Sequence, residues 1–119
     1  MNEIKIRYVF RHKKTNEVVL HYYTLNEIEY FGETIYTDKE DYELINRDIW
    51  TGKKDKKEQE IYAGDIDITD DEPMIVTYKD GRFGLKFPDH AYFDGSVSWE
   101  DCEIGGNVHQ NPKLLEGAK

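Results

Sequence analysis

Five carboxylates, Asp65, Asp67, Asp70, Asp71 and Glu72, crowd into one short stretch, and residues 61–75 contain no Lys or Arg. Closely spaced carboxylates suit a hard divalent cation or a basic partner. A calcium loop needs oxygen ligands at its first, third and fifth positions and a glycine at the sixth. Counting from Asp65, Thr69 and Asp70 hold the fifth and sixth places, so the pattern fails at the glycine. A strand would put Asp65 and Asp67 on one face, where a divalent ion would bind weakly and could serve a metal-dependent hydrolase. The plainer reading is a solvated strand face.

Other reactive groups form no recognisable constellation. His12, His21, His90 and His109 include no pair four residues apart and no His/Cys ligand spacing. Cys102 and His109 are the types for a nucleophile and its base, yet no local pattern joins them. Gly105-Gly106 lacks the spacing and the following Lys of a phosphate loop. Lys53-Lys54-Asp55-Lys56-Lys57 is a basic cluster that would suit phosphate, but Asp55 and Glu58 dilute it, which favours a solvated turn. No cofactor is implied.

The net charge of −9 opposes general nucleic-acid binding, because phosphate contacts need Lys and Arg. The charge is uneven: residues 1–20 carry five basic and two acidic groups, residues 21–50 two basic and eight acidic. No apolar run approaches the roughly 20 residues that cross a bilayer, so no membrane role is expected. The N-terminus lacks a signal-peptide pattern. A single cysteine permits no internal disulfide and fits a reducing compartment, the cytoplasm.

The elements that would position these groups read as mainly β. Ile4, Ile6, Tyr8 and Phe10 alternate with Glu3, Lys5, Arg7, Val9 and Arg11, which predicts a strand with one apolar and one wet face. Residues 12–16 read as a turn and 18–23 as the returning strand. Thr24-Leu25-Asn26-Glu27 matches a capping box, predicting a helix near 25–31 that Gly32 ends. Residues 33–41 read as a loop or short hairpin, and 42–51 as a strand. Period-two alternation marks 65–69, and 74–79 follows as a strand. Asp80-Gly81 is the best hairpin signal, with 82–87 returning. Residues 96–99 and 103–104 suggest short final strands, and Gly105-Gly106-Asn107 permits a bulge. Trp50 reads as packing rather than a binding platform. The expected buried set is Ile4, Ile6, Phe10, Trp50, Tyr62, Ile66, Ile68, Val76, Tyr78, Phe83 and Leu85. One domain with two lobes is expected, an N-terminal β lobe over about 1–51 and a second over about 60–119. Short strands leave unpaired edges, so a homo-oligomer is also expected.

Two motifs resemble a known family. Trp50-Thr51-Gly52-Lys53-Lys54-Asp55-Lys56 followed by Glu60-Ile61-Tyr62-Ala63-Gly64-Asp65-Ile66 is similar to the central signature of the YopX-like proteins of bacteriophages and prophages. Gly106-Asn107-Val108-His109-Gln110-Asn111-Pro112-Lys113-Leu114-Leu115 resembles that family's terminal motif, and Ile4-Lys5-Ile6-Arg7 its opening strand. The chain departs from the pattern in three places. Lys57-Glu58 stands where an Asn-Gly turn is usual, Asp67 where an apolar residue is common, and Tyr8 near an expected Trp. The resemblance implies a phage accessory protein of a bacterial cytoplasm with an SH3-like barrel-type lobe and one or two short helices. It brings no catalytic residues, and the plainer reading of the central motif is structural: Gly52 and Gly64 permit turns, Tyr62 and Ile66 fill a core, and Asp65 bonds to turn backbone amides. It implies action by binding a host or phage protein, with nucleic-acid association through the SH3-like lobe and the Lys53–Lys57 loop as the alternative. In that setting Asp65, Asp67, Asp70, Asp71 and Glu72 are the expected partner-binding residues, offering carboxylates in the manner of phosphates to a basic groove.

Overall fold

The computed structural model describes residues 4–36 and 40–116. The chain divides into two compact units, Met1–Trp50 and Thr51–Lys119.

The first unit is a three-stranded antiparallel sheet and a helix. Strand β1 (Lys5–His12) lies between β2 (Val18–Thr24) and β3 (Tyr42–Lys54). A turn joins β1 to β2, and Asn16 takes the left-handed conformation there (φ 65°). β1 pairs Ile6 with Tyr23, Tyr8 with His21 and Phe10 with Val19. Its other edge meets β3 with a register shift between Val9 and Phe10. Helix α1 (Leu25–Phe31) starts as its sequence requires. Thr24 accepts from the Glu27 N–H and Glu27 returns the bond to the Thr24 N–H. Gly32, at φ 54°, ends it. A 3-10 turn follows over Gly32–Tyr36. Of the segment expected to be a loop or hairpin, residues 37–39 lie outside the described residues.

The expectation of one wet face on β1 fails. Arg7, Tyr8, Val9 and Phe10 are all buried, so the strand is covered on both sides at its middle. The alternation is real but reports only side-chain type: Arg7 is buried because Asp48, directly opposite on β3, neutralises it. Ile4, just before β1, is exposed, and Ile6 and Trp50 are half-buried.

In the second unit the last residues of β3 lie beside β4 (Glu60–Tyr62), and Thr51 Oγ1 donates to the Ile61 carbonyl at 2.8 Å. A five-stranded antiparallel sheet is built from β5 (Asp65–Asp67), β6 (Met74–Lys79), β7 (Arg82–Lys86), β8 (Phe93–Asp94) and β9 (Ile104–Asn107). Its order is β8-β7-β6-β5-β9, an open sheet with β8 and β9 at its ends. The barrel-type lobe is thus corrected to an open antiparallel sheet among the described residues. The Asp80-Gly81 hairpin is present. Lys79 faces Arg82, and the two turn residues have φ of 52° and 84°, as a type I′ turn requires. Asp67 faces Ile104 while Ile66 faces Gly106, so Gly105 is the extra residue of a bulge. Residues 96–98 carry no strand, and a 3-10 turn spans Trp99–Asp101, in place of the expected first short strand. A one-turn helix α2 (Lys113–Glu116) closes the described chain.

The core of this unit joins Ile61, Val76, Leu85, Cys102 and Ile104, with Met74, Val97 and Trp99 against it. Tyr62 and Ile66 are buried as expected. Ile68 and Tyr78 are exposed and Phe83 half-buried, which corrects three more expectations. β5 ends at Asp67, although the Ile68 N–H still donates to the Glu103 carbonyl at 2.8 Å. The Ile68 side chain rests on Gly105, where a Cβ would fall 2.7 Å from Ile68 Cδ1. Tyr78 and Phe83 meet edge-on across the outer end of the hairpin, beyond the core, with centroids 4.9 Å apart.

Candidate functional site

The carboxylates that suggested chemistry separate into two groups. Asp65 is buried and accepts the Tyr62 N–H at 2.8 Å, closing the tight turn in which Gly64 takes φ 91°. That turn is clasped from both sides, because the Gly64 N–H donates to the Val76 carbonyl and the Val108 N–H donates to the Gly64 carbonyl. Asp67 is also buried. Its Oδ1 accepts from the Thr69 N–H at 3.1 Å, from the Thr69 hydroxyl, and from the Glu103 N–H at 3.2 Å. Neither side chain presents a carboxylate to solvent, which corrects their place on an acidic surface and the solvated strand face. Among the described residues, no three His, Cys, Asp or Glu side chains gather in a way that could hold a metal ion.

Asp70, Asp71 and Glu72 are exposed. With Thr69 and Phe87 they line an open pocket of about 410 Å³. The pocket combines three carboxylates with one ring edge, which suits a cationic group better than an anion or a neutral apolar ligand.

The basic cluster is not a plain solvated turn. Asp55, 2% exposed, sits inside it as its anchor. Asp55 Oδ1 accepts the Lys57 and Gln59 N–H groups at 2.9 Å each, and Oδ2 accepts the Ile104 N–H at 3.0 Å. Burial alone would push this carboxyl up; the three amides and the Lys57 charge outweigh it and hold the group below its ordinary value. Lys56 and Lys57 both reach Glu103, at 3.2 and 3.1 Å, and their bonds hold the Glu103 carboxyl below its ordinary value. Half of the cluster's positive charge is therefore engaged within the protein. Lys53 and Lys54 are exposed on the end of β3.

Glu58 occupies the second place of the departure from Asn-Gly and has φ 66°, a conformation that costs an L side chain about 1 kcal/mol. Glu58→Gly is expected to raise the midpoint of chemical denaturation by an amount worth up to about 1 kcal/mol. An unchanged or lower midpoint would show that the side chain, not the backbone, matters there.

Cys102 is buried in the core, and its Sγ points to the Ser98 carbonyl at 3.7 Å. Burial first, then the charges of Asp67, Asp101, Asp55 and Glu100, pushes its thiol up to about 12. Such a thiol is not a nucleophile at neutral pH. Iodoacetamide at pH 8 is expected to label it only after denaturant is added; rapid labelling of the native protein would contradict this.

The terminal motif is built on the same plan as the central one. Asn107 Oδ1 accepts the His109 and Gln110 N–H groups, its own N–H donates to Asn111 Oδ1, and its Nδ2 donates to Gln110 Oε1. Short polar side chains that bind their neighbours' amides fix turns. Both signatures are thus turn-building devices, and the spacing Tyr62-Ala63-Gly64-Asp65 was the signal that made this legible.

Trp50 is half-buried. The Lys5 ammonium lies 4.6 Å from its ring centroid, and its indole N–H is buried with no partner among the described residues. On α1 no residue is buried, and its aromatic end is open to solvent. This feature was not anticipated from sequence, because Tyr30 and Phe31 fit a helix packed on a sheet equally well.

None of the curated proteins matches the chain. Among solved structures, the crystal structure of protein EF1440 from Enterococcus faecalis is similar. It shares 25% identity over 91% of this chain and 74% of that chain, with a TM-score of 0.47. The YopX protein family matches residues 5–116, a span that takes in both turn-building motifs and the opening strand, and the chain belongs to that family.

Proposed function

We propose that this YopX-family protein is a non-catalytic phage or prophage accessory protein of the bacterial cytoplasm that acts by binding a protein with a basic surface. The observation that carries the reading is the division among its carboxylates. Asp55, Asp65 and Asp67 are spent on backbone amides inside the fold, whereas Asp70, Asp71 and Glu72 stand exposed around one pocket. A basic partner would be steered by these charges and would meet a surface already organised by the buried set.

The test is affinity capture from the phage host, with and without nuclease and across ionic strength. A captured protein that survives nuclease is expected. Its association should slow as salt rises past physiological values, where the Debye length is about 8 Å. Replacing Asp70 and Asp71 with Asn and Glu72 with Gln should slow association at least severalfold without altering the circular dichroism spectrum. Loss of every partner on nuclease treatment would assign the protein to nucleic acid instead.

A further inference from the structure

Rings in the first unit form a continuous series from the interior to the surface. Tyr8 is buried in β1 and meets Tyr23 of β2 edge-on, with centroids 5.4 Å apart. Tyr23 is half-buried and meets Phe31 at 6.5 Å. Phe31, 42% exposed, meets Tyr30 at 5.3 Å, and Tyr30 is 85% exposed. Tyr23 thus braces Phe31, and Tyr30 touches Phe31 while standing mostly in solvent. Phe31, braced from below, loses less entropy when it is covered, and Tyr30 adds a large exposed ring beside it, a pairing that suits an interface anchor.

The helix segment itself carries one sign of charge, while Lys5 of β1 lies opposite Thr24 at its start. Residues 24–36 contain Glu27, Glu29 and Glu33 and no Lys or Arg, and all three are exposed. Leu25 adds a further exposed apolar group on the same helix. An exposed apolar patch edged by charge marks a contact surface. The exposed carboxylates of the helix segment disfavour an acidic or nucleic-acid partner and complement a cationic one. It also disfavours a second copy of this patch, because a two-fold contact would bring like charges together.

We infer that the Tyr30–Phe31 end of α1 is the anchor of the partner contact, seated in an apolar site on a protein element lined with Lys and Arg. This rests on the protein-binding reading above and adds where the contact is made and what chemistry receives it. Glu27 is engaged in the helix cap, so Glu29 and Glu33 supply the rim charge.

The probe is a synthetic amphipathic peptide of Leu and Lys at helical spacing, about 14 residues long, with a Leu/Glu peptide of the same pattern as control. It is titrated into the isotope-labelled full chain and read by amide shifts. Binding of the Lys peptide alone is expected, with the largest shifts over residues 25–33. Tyr30→Ala should weaken it by about tenfold or more, as for an interface anchor, and Tyr30→Phe should retain most of it. Glu29→Gln with Glu33→Gln should remove most of its salt dependence. At 85% exposure Tyr30 can be truncated without unfolding, and its spectrum serves as the check. Binding that survives Tyr30→Ala and maps to Asp70–Glu72 would overturn this surface while leaving the protein-binding reading intact. Failure to bind the Lys peptide, or self-association through α1 by light scattering, would also overturn it.

Discussion

Asp55→Ala is expected to cost about 3–5 kcal/mol, measured by chemical denaturation. The substitution removes one buried carboxylate and leaves the N–H groups of Lys57, Gln59 and Ile104 without their acceptor. Hydrogen bonds to a charged group are worth about 1.5–3 kcal/mol each, and the loss is largest where water cannot replace them. The Ile104 bond is buried, so it should dominate. Asp55→Asn should cost less, since the amide oxygen still accepts. The effect should also depend on pH in a defined direction. The folded carboxyl lies below its ordinary value of 3.8, so its contribution is complete above that value. It is lost as pH falls from there through the folded value. The stability gap between the natural protein and Asp55→Asn should therefore be constant at neutral pH and close in acid. A gap that persists unchanged at pH 2 would mean that the charge plays no part.

The second large effect is expected at Arg7. Arg7 and Asp48 are 3% and 4% exposed; Nε and Nη2 of Arg7 donate to Asp48 Oδ2 at 3.0 and 2.8 Å. Asn46 Nδ2 donates to the other carboxylate oxygen at 2.8 Å. Removing one member of a buried pair strands the other, and Arg7→Ala should cost about 3–5 kcal/mol. The pair itself is not expected to contribute that much, because two desolvated charges largely repay only their own burial. Arg7→Met combined with Asp48→Leu should therefore recover most of the loss. If the double variant is as unstable as the single, the pair has a role that apolar packing cannot replace.

These two sites show what the sequence made legible. Elements whose signals are local were readable: the Thr24–Glu27 box, the Asp80-Gly81 hairpin, the Gly105 bulge. Each depends on residues close in the chain, and each is where the residue types require it. Position along a sheet was less readable. Ile68 and Tyr78 have the right period for a core but lie beyond the end of the strand and of the packed region respectively. Charged residues were the least readable. Arg7, Asp55 and Asp67 look wet in sequence, and all three are buried because a partner arrives from elsewhere in the fold or turn; Asp65, read as binding turn amides, does so within its own turn. The separations explain why: Arg7 finds Asp48 across 41 positions, and Asp55 finds Ile104 across 49. Neither partner could be assigned without the strand register.

The amides that satisfy Asp55 and Asp67 have a consequence for synthesis of the chain. Asp67 waits for the Glu103 N–H across 36 positions and Asp55 for the Ile104 N–H across 49. A chain stopped before residue 103 keeps the Lys57, Gln59 and Thr69 donors but lacks the Glu103 and Ile104 N–H groups, so Asp55 Oδ2 loses the donor that reaches it from β9. Closing its second unit then carries a penalty, since a buried carboxylate oxygen has lost one of its donors. Synthesis of β9 and closure of the second unit are thereby coupled, and products that stop short of it remain open to cellular proteases.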